Sequence, residues 1–135
     1  MRKFPATALL LALTLLSLSL TACQSRGSAK FVGSYQAVLP SATTAGRRLT
    51  LTLNADNSAT LTNDFMNGQT PAVETGAWLE SSDDKVIVTL SQINGEPEPE
   101  TVEITFQLYE DRLFVTDFVP GDYLPSVGLQ LKKIQ

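Results

Sequence analysis

The chain has no histidine, one cysteine and fewer basic than acidic residues. Without histidine there is no His-dependent triad and no imidazole titrating near neutral pH. With Cys23 the sole cysteine, no intramolecular disulfide forms. Imidazole and paired-thiolate metal sites fall with it, so any cation site has to be lined by oxygen. A membrane-spanning helix is missing as well: the hydrophobic run Ala8 to Leu20 is 13 residues, where a spanning helix needs about 20. No window longer than a turn or two places apolar residues at helical spacing.

What the chain does have begins at its start. Arg2 and Lys3 precede that hydrophobic run, and Leu20-Thr21-Ala22-Cys23 follows it. A positive n-region, an apolar h-region and a small-residue cleavage site make a secretory leader. The cysteine at the cleavage point turns the site into a lipobox, against the alternative of an ordinary leader in which Cys23 is incidental. Residues 1–22 are therefore expected to be the lipoprotein signal peptide and Cys23 the lipidated first residue of the mature chain. One acyl chain gives marginal membrane binding, about 10⁴ M⁻¹, whereas two or more hold stably. Gln24 stands where Asp would retain the protein at an inner membrane, so the expected address is the outer membrane, lipid-anchored and facing the periplasm.

Cleavage leaves 113 residues, enough for one domain with a real core. Arg2 and Lys3 leave with the leader, so eight basic residues face 14 acidic ones, a balance of −6. Such a surface repels phosphate backbones, and no nucleic-acid partner is expected. Residues 23–30 are small and polar, a tether between lipid and domain, and residues 31–135 form the domain.

Within the domain the hydrophobic period is two. Leu49, Leu51 and Leu53 alternate with threonines, and Val102, Ile104, Phe106 and Leu108 alternate with polar residues. Shorter strands are expected over Gly33 to Leu39 (Tyr35, Ala37 and Leu39 on one face), Ala59 to Phe65 (Leu61 and Phe65 on a common face) and Ala72 to Glu80. Val86 to Leu90, Leu113 to Phe118 and Val127 to Leu131 complete the set. Asn67-Gly68 carries the strongest two-residue hairpin signal, and Asn94 to Pro99 reads as a longer acidic loop. The parity of Leu113, Phe114 and Val115 is left open by the pattern. Eight such strands bury their apolar faces, and lose their edges, by closing on themselves. The expected fold is all-β: a small antiparallel up-and-down barrel of about eight strands, with a β-sandwich as the alternative.

Gly33-Ser34-Tyr35, Leu39 to Gly46, the Leu/Thr strand Leu49 to Leu53, Asp56 and Gly76-Ala77-Trp78 together resemble the N-terminal domain of the NlpE-like copper-resistance lipoproteins. The likeness is good over about residues 33–80 and is one of strand rhythm beyond. It implies a lipocalin-like barrel on the outer membrane, linked to copper tolerance and envelope stress. Where that family has Cys-x-x-Cys, this chain has Ser41 and Thr44, whose neutral hydroxyls do not replace thiolates for a soft cation. Copper binding by that motif is not carried over, and no metal residue is assigned.

Candidate site residues follow from these patterns. Ser41, Thr43, Thr44, Arg47 and Arg48 form a candidate interaction loop, whose arginines either grip an anionic group or guard a strand edge. Tyr35, Leu51, Trp78 and Phe106 are candidate core or cavity-lining residues. Glu96, Glu98 and Glu100 do not have calcium-loop spacing, and no nucleophile with an evident base marks a catalytic site. The expectation is a non-catalytic envelope lipoprotein with no cofactor beyond the lipid on Cys23, a membrane contact through that lipid and an envelope protein as partner. The alternatives are a carrier of a small apolar ligand and metal homeostasis through non-cysteine ligands.

Overall fold

In the computed structural model, residues 28–119 and 128–135 are described. The leader, Cys23 and Val127 of the last expected strand lie outside them. Eight strands follow in order: β1 Gly33–Leu39, β2 Arg47–Leu53, β3 Ser58–Asp64, β4 Ala72–Ser82, β5 Lys85–Ile93, β6 Glu96–Tyr109, β7 Arg112–Val119 and β8 Gln130–Lys133. Each pairs antiparallel with the next, and β8 pairs with β1 to close the barrel. Closure excludes the sandwich, because no sheet edge separates two layers.

The alternation sets the lining. Tyr35, Leu49, Leu51, Leu53, Leu61, Trp78, Val86, Val88, Leu90, Ile104, Phe106, Leu113, Val115 and Leu131 are all at most 3% exposed and form one core. Burying a side chain of this size stabilises by about 1.5–3 kcal/mol. On the outer face, polar partners ladder across strands, as in Ser34 Oγ with Thr52 Oγ1 at 3.0 Å.

Register shifts explain where the pattern was ambiguous. Thr105 pairs with Asp117 but Phe106 with Val115, leaving Thr116 as a bulge. The bulge lets Leu113 and Val115 point inward, while Phe114 lies outside, edge-on to Tyr109 at 6.4 Å. Both neighbours of β5 lose register at Ser91: Gly76 pairs with Leu90 while Thr75 pairs with Gln92, and Leu90 pairs with Val102 while Gln92 pairs with Pro97. A β-carbon on Gly76 would lie 1.9 Å from the Thr89 carbonyl oxygen, so only glycine fits this approach.

Three expectations are corrected. Asn94-Gly95 forms the tight turn, with φ of 51° and 86°, as a two-residue hairpin with both central residues left-handed requires. The acidic stretch from Glu96 is therefore the start of β6, and its Glu98 to Thr101 bulge outward between Pro97 and Val102. Asn67-Gly68 instead lies within a longer connection between β3 and β4. Phe65 falls past the end of β3 and is 48% exposed; it does not share the buried face of Leu61.

Candidate functional site

The barrel has two different ends. At the base, where β1 begins and the β2–β3, β4–β5 and β6–β7 turns gather, the incoming chain is packed in place. Phe31 is fully buried, with its ring edge-on to Trp78 at 6.0 Å, and its carbonyl accepts a hydrogen bond from the Tyr35 hydroxyl at 2.9 Å. Burial holds that hydroxyl's pKa up at about 12. Lys30, placed in the tether by its polarity, reaches Glu80 at 3.1 Å and Asp84 at 3.6 Å. Lys133 Nζ donates to the Val32 carbonyl at 2.8 Å.

Trp78 joins two of the sequence motifs. Its Nε1 donates to the Asn54 carbonyl at 2.9 Å, its amide donates to the Asn57 carbonyl, and Asn57 Nδ2 donates to its carbonyl at 3.1 Å. The Gly-x-Trp segment thus clamps the turn that follows β2. That turn is fixed from within by Asp56, whose Oδ1 accepts from the Ser58 hydroxyl at 2.6 Å and the Ser58 amide at 2.9 Å. These bonds hold the carboxyl below its usual pKa. Tyr35, Leu51, Trp78 and Phe106 are accordingly placed in the core, with the polar atoms of Tyr35 and Trp78 bonded to backbone.

At the opposite end, the mouth, the β1–β2 loop is turned on itself. Ser41 Oγ accepts the amides of Thr43 and Thr44, both at 3.3 Å. Thr44 Oγ1 donates to the Gly46 carbonyl at 2.8 Å and accepts its amide at 3.3 Å. Ser41 and Thr43 are exposed, Thr44 half-buried. The two hydroxyls standing in the family's cysteine positions therefore act as loop braces. Among the described residues, no group of three or more His, Cys, Asp or Glu is placed to hold a metal ion.

The arginine pair is split by strand parity. Arg48 faces outward and meets Asp64 at 3.8 Å. Arg47 shares the inward parity of Leu49; its Nε donates to Asn63 Oδ1 at 2.8 Å and its guanidinium lies 5.4 Å from the Phe65 ring centre. Asn63 and Glu74 are buried polar residues, 7% and 3% exposed, and Glu74 is partnered. Their inward position was missed in the sequence, although Asn63 continues the Ala59, Leu61 period and Glu74 pairs with Leu61 in register.

A closed eight-stranded antiparallel barrel with a packed base and a polar, loop-rimmed mouth is the class these features define. The chain belongs to the NlpE N-terminal domain family, whose model matches residues 35–117, well past the region where individual motifs were recognisable. No curated protein matches it. Among solved structures it is similar to a crystal structure of a candidate lipoprotein from Shewanella oneidensis, at 28% identity over 76% of this chain and 88% of that one, with a TM-score of 0.48.

Proposed function

We propose that this protein is a non-catalytic envelope lipoprotein, held by a lipid on Cys23 at the periplasmic face of the outer membrane, that works by binding another envelope protein in stress sensing or assembly. The observation that carries the reading is the contrast between the ends. The base and lining are committed to the fold, with the polar atoms of Tyr35 and Trp78 tied to backbone. Among the described residues, the mouth loops turn on local hydrogen bonds and leave side chains such as Thr43 and Phe65 exposed. A carrier of a small apolar ligand finds less support, because Arg47, Asn63 and Glu74 set polar groups beside Leu39 among the inward-facing residues near the mouth. Metal handling finds less again, since Ser41 and Thr44 brace their own loop.

Photoreactive amino acids placed singly at exposed positions of the lipidated protein in living cells test the reading. Illumination is expected to give adducts of one defined larger mass from mouth positions such as Thr43, with none from Asp83 at the base. A scan around the whole surface that yields no protein adduct contradicts it.

A further inference from the structure

On the β1–β3 side of the mouth, large apolar side chains stand in solvent. Val38 is 58% exposed and Phe65 48%. Gly46 is buried beneath them, and a β-carbon there would lie 3.4 Å from Val38 Cγ1 and 3.3 Å from Met66 Sδ. Those two side chains therefore converge over the glycine, which sits at φ +149°. The patch is also held in shape. Met66 has φ 51°, a left-handed conformation uncommon outside glycine, and its amide is bonded to Asp64 Oδ1 at 2.8 Å. Arg47, fixed by Asn63, covers one face of Phe65. Backbone strain of this kind costs about 1–3 kcal/mol and gathers at ligand clamps and functional sites.

Charge says what such a patch accepts. Among the described residues, Arg47 and Arg48 are the only cations at the mouth; Lys30, Lys85, Arg112, Lys132 and Lys133 all lie toward the base. The far side of the mouth carries Glu96, Glu98 and Glu100 at the start of β6. The arginine side is balanced by Asp64 and the buried Glu74, so an acidic ligand is turned away from the far side and meets its cations only at Arg47 and Arg48, which fixes its orientation. The Arg48–Asp64 pair, at 3.8 Å and part-exposed on both sides, is of the kind worth about 0–1 kcal/mol, so a bidentate carboxylate from a partner can displace it.

Building on the protein-binding reading above, we propose that Val38, Phe65 and Met66, flanked by Arg47 and Arg48, dock an acidic segment of a partner envelope protein. An apolar side chain of that segment seats on Phe65 and Val38, and a neighbouring carboxylate meets the arginines.

Selection of a random nonapeptide display library on the immobilised mature protein tests this. Enriched peptides are expected to place Asp or Glu beside Leu, Ile or Phe. Their affinity, read by fluorescence anisotropy, falls about tenfold with Phe65→Ser or Arg48→Glu, as for an interface hot spot, and is unchanged by Leu79→Ser, a substitution of an exposed residue far from the mouth. Melting curves check that each variant folds, and Val38→Ser and Arg48→Gln replace any that does not. No enrichment, enrichment without acidic residues, or affinities indifferent to the substitutions overturn the proposal. So does binding to phosphatidylglycerol vesicles that Phe65→Ser abolishes, which gives the patch to lipid, or self-association that Phe65→Ser abolishes, which gives it to a second copy. Cellular adducts arising only from elsewhere on the barrel also remove this patch while leaving the partner-binding reading in place.

Discussion

Replacing Tyr35 by phenylalanine separates what the base closure contributes from what the ring contributes. The ring is fully buried and stays; only the hydroxyl donating to the Phe31 carbonyl at 2.9 Å is lost. A buried carbonyl left without its partner costs about 1–3 kcal/mol, so near neutral pH the variant is less stable by about that much. For a domain of this size that is a fall in Tm of roughly 4–12 °C. The pH dependence sharpens the test. Burial raises this tyrosine's pKa to about 12 in the fold, against about 10 in the unfolded chain. The neutral hydroxyl's stabilising share is therefore complete below pH 10 and is lost as pH rises from 10 toward 12, a loss of about 2–3 kcal/mol. Urea titrations of wild type and Tyr35→Phe at pH 7 to 12 measure the difference, in which the other titrating groups cancel. The wild-type advantage is expected to hold flat to about pH 10 and to vanish near pH 12. A gap that is constant across the range refutes the buried, bonded hydroxyl.

Gly76→Ala is expected to abolish folding or cost more than about 3 kcal/mol, because its β-carbon meets backbone rather than a movable side chain; far-UV circular dichroism and urea midpoints report it. Trp78→Phe loses the bond to Asn54 and leaves a smaller ring against Phe31, a cost of about 2–4 kcal/mol, and amide exchange should quicken in the Asn54–Ser58 turn. In an NMR titration the Asp56 carboxyl should titrate below the usual aspartate range; its contribution to the turn is present above the unfolded pKa and disappears as pH falls through the lower folded value. Cys23→Ser should yield protein without diacylglycerol mass that no longer pellets with membranes.

Much of this architecture was legible because period-two alternation is unambiguous where threonine or glutamate separates leucine, valine and isoleucine. Leu49 to Leu53 and Val102 to Leu108 fall on the face expected of them. Where three apolar residues run together, as at Leu113 to Val115, parity depends on the Thr116 bulge, a product of pairing with β6 that local sequence does not encode. Turn chemistry misled in a similar way. Asn67-Gly68 and Asn94-Gly95 are the same dipeptide, and only strand pairing decides which becomes the tight turn. At the mouth, Arg47 and Arg48 looked like one feature, but successive strand residues face opposite ways, so one meets Asn63 inside and the other Asp64 outside. The exposed patch was not legible, because Phe65 reads as a core residue until the end of β3 is known.

Anchorage through Cys23, as proposed, sets the base toward the membrane and the mouth away from it. Four residues separate Cys23 from Ser28, five Cα–Cα steps with a reach of at most about 18 Å. With the native cysteine acylated, single cysteines introduced as Thr43→Cys and Asp83→Cys carry fluorophores at the mouth and the base. Energy transfer from each to acceptor lipids in a bilayer holding the lipidated protein then measures both heights. The mouth label is predicted to stand farther from the lipid by roughly 20 Å, the rise of a seven-residue strand such as β1; equal heights, or a mouth label nearer the bilayer than the base label, would contradict it.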